Sequence, residues 1–136
     1  MKDVVQIIFV SKSQLLLAFR QNTGVFDQNW GFPSGRIEDG ELPLSAAKRE
    51  AMEEVSVETH VLKFIAKLAD PERPISHYFY ICLNWSGEIK NAEPKLCREI
   101  RWFDIEELPD NCTSITYSIL KQLKEVVYNS SDAGNW

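Results

Sequence analysis

This sequence predicts an α/β domain, on three observations. Runs rich in β-branched and aliphatic residues recur along the chain with turn residues between them. Two other segments carry apolar residues at helical spacing. The 136 residues with a 44% hydrophobic fraction make a globular chain that can bury roughly two-thirds of its unfolded surface, which excludes disordered and fibrous classes. One domain is expected over residues 1–136, with 129–136 a flexible tail; no repeat, low-complexity tract or linker interrupts it.

Residues 4–10 and 14–19 read as a hairpin around Ser11-Lys12-Ser13, with Gln6 the one polar residue inside the first apolar run. That run is seven residues, whereas a membrane-spanning helix needs about 20, so no span is expected. Residues 20–29 read as a loop, and 30–35 (Trp-Gly-Phe-Pro-Ser-Gly) as one short strand closed by turn residues. Strands follow at 59–68 and 75–85, divided by the turn-prone Asp70-Pro71-Glu72-Arg73-Pro74, and at 100–103. Apolar residues at 115, 119, 120, 123, 126 and 127 mark a helix over 115–128.

Charge narrows the function. Twenty acids against fifteen bases give −5, which argues against broad binding to nucleic-acid polymers or anionic membranes. A small polyanionic substrate remains compatible if a metal and a few local bases meet it. Cys82, Cys97 and Cys112 form neither a disulfide framework nor a zinc pattern. With no signal-peptide layout after Met1, a reducing cytoplasm is the expectation. Two histidines, His60 and His77, exclude a site built on several imidazoles, so any metal rests on carboxylates.

The second helix candidate carries that chemistry. Pro43 suits a first helical turn, where a missing N–H costs nothing. Leu44, Ala47, Ala51 and Val55 form a narrow stripe of mostly small residues that lets the helix lie close to a sheet. Glu50, Glu53 and Glu54 are expected on a different face, with Arg49 alongside. On an exposed helix such like charges cost a few tenths of a kcal/mol per pair, so a solvated acidic face is one reading. A divalent cation gathering the carboxylates is the other, and oxygen-only donors suit Mg²⁺ or Mn²⁺. The loop before the helix favours the second: Gly35 and Gly40 bracket Arg36-Ile37-Glu38-Asp39, followed by Glu41.

Written out, Gly35-x5-Glu41-x7-Arg49-Glu50-Ala51-Met52-Glu53-Glu54-Val55-Ser56-Val57 resembles the Nudix box of the MutT-like pyrophosphohydrolases, G-x5-E-x7-R-E-U-x-E-E-x-G-U with U aliphatic. Six charged or Gly positions match at the right spacing. The resemblance extends through Trp30-Gly31-Phe32-Pro33-Ser34 upstream, and through Arg101-Trp102-Phe103 and Glu106-Glu107-Leu108-Pro109 downstream. Ser56 stands where the family usually has Gly, at a helix end favouring left-handed backbone; this costs about 1 kcal/mol or shifts the helix end. Ser34 replaces the first of a frequent Gly-Gly pair.

The resemblance implies an α/β/α sandwich with a mixed β-sheet, the box helix on one face and the 115–128 helix on the other. It implies Mg²⁺-dependent hydrolysis, with Mn²⁺ as the alternative, of a nucleoside diphosphate linked to another group. A (deoxy)nucleoside triphosphate cleaved to monophosphate and pyrophosphate is the foremost substrate. A nucleotide sugar, an ADP-ribose-type substrate or a non-catalytic nucleotide-binding module are the alternatives. Carried over, Glu53 and Glu54 are principal metal ligands with the Ser34 carbonyl, and Glu50 is a further ligand or the base that orients water. Arg49 holds Glu41 or Glu50 by a bidentate contact, and Gly35 and Glu41 shape the box. An acid from outside the box is assigned to Glu99 first and Glu93 second, against a surface-strand role for Glu99. Arg20 contacts phosphate or base, or is a solvated strand end. Phe32, His77, Tyr78 and Phe79 offer a stacking surface for a base or belong to the core. Asn111 bonds a base edge or forms a turn. Residues 35–57 hold six acids against three bases, net −3 of the chain's −5.

Overall fold

The computed structural model describes residues 1–24 and 27–129. The apolar run near the start forms β1 (Val4–Ser11), which turns tightly into β2 (Gln14–Arg20). Lys12 and Ser13 between them both take positive φ, 50° and 67°, the backbone a two-residue hairpin turn requires to match strand twist. The segment expected as one strand at 30–35 is two: β3 (Trp30–Gly31) pairs with β2, and β4 (Ser34–Arg36) pairs with β1. Pro33, which has no N–H to give a ladder, sits where the chain crosses from one partner strand to the other.

Then follow α1 (Pro43–Val55), β5 (Glu58–Ala69), β6 (Ser76–Ser86), β7 (Cys97–Asp104) and α2 (Ser114–Asn129). Strand β7 starts at Cys97, ahead of the Ile100 expected, because Arg20 through Gln14 of β2 offer it a partner along its whole length. Of the tail expected at 129–136, Asn129 closes α2 and the rest lies outside the described residues. The sheet runs β3-β2-β1-β6-β5, with β4 added to β1 and β7 to β2. Strands β1 and β6 are parallel and the other pairs antiparallel, so the sheet is mixed.

Strand β1 is buried on both faces, which explains its nearly unbroken apolar run. Val5, Ile7 and Phe9 pack with Ala46, Ala47, Ala51 and Val55 of α1. Ile8 and Val10 pack with Ile115, Ile119, Leu123 and Val127 of α2. Helices therefore cover both faces, as expected. The stripe on α1 is rotated from the expected one. Leu44 is exposed, while Glu50 joins Ala46, Ala47, Ala51 and Val55 on the buried side. Pro43 occupies the first turn, and Ser56 caps the C-terminus in left-handed backbone (φ 63°, ψ 34°), its N–H bonded to the Met52 carbonyl at 3.1 Å. No helix among the described residues is long and apolar enough to cross a membrane.

Candidate active site

Helix α1, strand β4 and the ends of β1, β2 and β6 border a cleft of about 380 Å³. One wall carries Glu50, Glu53 and Glu54 of α1 with Ser34 and Gly35 of β4. The helix lies on β4 closely enough that a Cβ on Gly35 would overlap the Glu50 carboxyl carbon. Glycine at 35 thus clears the space in which a buried carboxylate rests on strand backbone.

Arg49 organises this wall from behind. Its Nε and Nη2 bind the two oxygens of Glu41 at 2.9 Å each. Its Nη1 donates to Glu50 Oε1 at 2.8 Å and to Glu53 at 3.2 Å, and Nη2 also reaches the Arg36 carbonyl at 2.9 Å. The bidentate contact thus falls on Glu41, and Glu50 receives a single bond. The Arg49 guanidinium, with the Glu38 N–H, holds the Glu41 carboxyl down to about 2. Glu54 accepts the Ser34 N–H at 2.8 Å.

Electrostatics separate the three glutamates. Burial pushes Glu50 up to about 7, against the pull of Arg49 and with Glu53 adding repulsion. Burial and then the Glu50 charge push Glu54 up to about 8. Glu53 is the exposed member. Burial outweighs the arginines that pull the other way, Arg49 on Glu50 and Arg20 on Glu54. Among the described residues no three His, Cys, Asp or Glu side chains already converge as a metal cluster. The donors present are all oxygen, the chemistry a hard divalent cation takes, and a cation there would relieve both raised carboxyls; the residues fit such an ion.

The rest of the lining is polar and basic. Arg20 ends β2 half-buried, with its Nε shielded from solvent and unpartnered among the described residues, and burial lowers its pKa. Arg73 lines the same cleft. Behind it stands a buried chain: Gln6 Nε2 lies 3.0 Å from His77 Nδ1, and His77 Nε2 lies 2.7 Å from Asp70 Oδ1.

The NUDIX domain model matches residues 1–123. The chain belongs to the NUDIX family. It is a MutT-like pyrophosphohydrolase. An 8-oxo-dGTP diphosphatase of Buchnera aphidicola is 25% identical over 127 residues, 93% of this chain and 95% of the relative. The ADP compounds hydrolase NudE of Escherichia coli is 27% identical over 117 residues, 80% of this chain and 63% of the relative. Among solved structures, a MutT NUDIX hydrolase from Burkholderia pseudomallei aligns with TM-score 0.84 at 22% identity, covering 90% of this chain and 97% of that one.

Within this NUDIX cleft the expected residues divide. Glu50, Glu53, Glu54, Ser34, Gly35, Arg20, Phe32, His77 and Glu93 line it. Glu99 does not; its carboxylate pairs with Arg101 at 2.9 Å. Of the two acids considered outside the box, Glu93 is the one at the cleft, and its charge helps raise Glu50 and Glu54. Tyr78 and Phe79 are not in the lining: Phe79 is core on the α2 side, and Tyr78 packs on the α1 side. Asn111 contributes its backbone carbonyl to the Trp30 N–H and the Asn29 side chain, at 3.1 and 3.0 Å, as a turn residue does. Sequence reasoning did not assign Gln6, Arg73 or Thr113 to the cleft. Gln6 carried a signal, a lone amide in an apolar strand; Arg73 was hidden in a turn.

Proposed function

We propose that this NUDIX hydrolase cleaves a (deoxy)nucleoside triphosphate to the monophosphate and pyrophosphate, with Mg²⁺ or Mn²⁺ held on the box carboxylates. The observation that carries this is one cleft lined both by the three box glutamates and by Arg20 and Arg73. A polyphosphate joined to a divalent cation complements both the carboxylates and the arginines at once. When bound, the cation neutralises phosphate charge and polarises the phosphoryl oxygens.

Glu53, Glu54 and the Ser34 carbonyl are the residues to hold it. Glu50, near neutral in pKa and fixed by Arg49, joins them or takes the proton of the attacking water. Water attacks phosphorus, the bond to the bridging oxygen breaks, and pyrophosphate leaves. Arg20 and Arg73 bind phosphate oxygens, and Glu93 is the acid from outside the box. The three free cysteines fit a cytoplasmic setting.

The test is a panel of nucleoside triphosphates, nucleotide sugars and dinucleotides with Mg²⁺ or Mn²⁺. Inorganic pyrophosphatase reports pyrophosphate, and product separation detects other cleavages. Turnover of a triphosphate is expected; no metal-dependent turnover of any member would overturn the enzyme reading. A second reading, cleavage of an ADP-linked compound, is favoured by the similarity to the ADP compounds hydrolase and would appear as AMP release without pyrophosphate. A binding module would bind nucleotides without cleaving them, but Glu41, Glu50, Glu53 and Glu54 are all present.

A further inference from the structure

The buried chain behind Arg73 has fixed donor and acceptor roles. Asp70 has a fully buried side chain whose Oδ2 accepts the N–H groups of Glu72 and Arg73 at 2.9 and 2.8 Å. Arg73 Nη2 and His77 reach its other oxygen at 3.3 and 2.7 Å. Burial alone would raise this carboxyl, yet the donors hold it well below the usual carboxylate range, so it only accepts. His77 Nε2 must therefore carry a proton. Burial lowers the His77 pKa, so the ring is neutral and Nδ1 is left as an acceptor. The Gln6 atom at Nδ1 must then be the amide nitrogen, as placed. The Gln6 oxygen accepts no hydrogen bond among the described residues, although Gln6 is 5% exposed and lines the cleft.

We propose that Gln6 is a specificity residue whose amide, locked by His77 and Asp70, offers an acceptor to an N–H donor on the substrate's base. This rests on the nucleotide-substrate reading, and it makes His77 and Asp70 positioning residues. A base that turns a lactam N–H or an amino group to Gln6 fills the acceptor; one that turns a bare ring nitrogen meets oxygen with oxygen-like lone pairs and loses the bond.

The lock has a reversible form. In Asp70→Asn the amide oxygen stays on the two backbone N–H groups, and the new NH₂ faces His77. His77 then shifts its proton to Nδ1, Gln6 turns its oxygen inward, and its NH₂ faces the cleft. The preference for donors becomes one for acceptors.

Binding of nucleoside monophosphates, followed by calorimetry in EDTA, tests this without turnover, so failed hydrolysis and a failed Gln6 contact are separate results. The pairs are deoxyguanosine monophosphate with its N1-methyl derivative, thymidine monophosphate with its N3-methyl derivative, and deoxyadenosine monophosphate with the purine analogue lacking the amino group. For at least one pair, wild type is expected to bind the N–H-bearing member about tenfold more tightly. Gln6→Met should abolish that ratio and Asp70→Asn should flatten it, because none of the comparison members places an acceptor where the N–H stood, with folding followed by circular dichroism. A ratio unchanged in Gln6→Met, or no ratio in wild type for any pair, overturns the proposal. If Asp70→Asn does not fold, His77→Phe, which has no polar atom to hold the amide in one orientation, should flatten the ratio, and a wild-type ratio there also overturns it.

Discussion

Two sets of residues lining the cleft are brought there in opposite ways. On the carboxylate wall, Glu41, Arg49, Glu50, Glu53 and Glu54 lie within fourteen consecutive positions of the chain. Local helix geometry and one arginine, bound at once to Glu41, Glu50 and Glu53, hold them. In the rest of the lining, Gln6, Arg20, Arg73 and His77 come from three strands and a turn, brought together by the tertiary fold. A wall encoded by spacing shows in one sequence. A set of residues gathered by topology does not.

The sharpest break of this contrast is Glu54→Gln. If the carboxylate wall holds the cation, turnover falls on the order of a hundredfold or more with the fold unchanged by circular dichroism. Glu53→Gln should behave alike, and wild-type rates from both would remove the wall from the chemistry. Arg49→Lys comes next, since an ammonium cannot reproduce the fork on Glu41 while also reaching Glu50. Steady-state rates should drop about 10–100-fold, the usual cost of losing the support behind a ligand.

Gly35→Ala sets a methyl where the Glu50 carboxyl rests. Urea unfolding should show a loss of about 1–3 kcal/mol, with activity falling as Glu50 is displaced. The smallest change expected is Ser56→Gly, which relieves a left-handed backbone at the helix end. It should stabilise the chain by about 0.5–1 kcal/mol in the same assay and leave kcat alone.

How much was legible follows from the same contrast. The strands at 4–10 and 14–19 and both helices could be read because apolar period and turn residues are local signals. The covering of both sheet faces followed from the resemblance. The split of residues 30–36 into β3 and β4 depends on which strand each half pairs with, a fact no window of sequence holds. Glu50 was placed on an acidic face because its neighbours are acids, whereas Gly35, fifteen positions earlier, opens a buried seat for it. Glu99 ranked above Glu93 by its nearness to a motif, but it turns to Arg101, while Glu93, in the segment before β7, reaches the cleft. Asp70 read as part of a turn and His77 as part of a strand, and only the antiparallel pairing of β5 with β6 shows them as one hydrogen-bonded pair.

The central claim, that the α1 carboxylates form a cation-holding wall, is tested most directly by metal-dependent thermal stability across pH. Glu50 and Glu54 have folded-state pKa values raised to about 7 and about 8 from an ordinary 4.5. In EDTA their contribution to stability is complete below about pH 4.5 and is lost as pH rises through 7 to 8. A divalent cation binds the ionised forms, so it should restore what is lost. Added Mg²⁺ or Mn²⁺ is predicted to raise the Tm of the wild type clearly at pH 8, little at pH 5, and far less at pH 8 in Glu54→Gln. An equal rise in wild type and Glu54→Gln at pH 8, or no rise in wild type, would contradict the account.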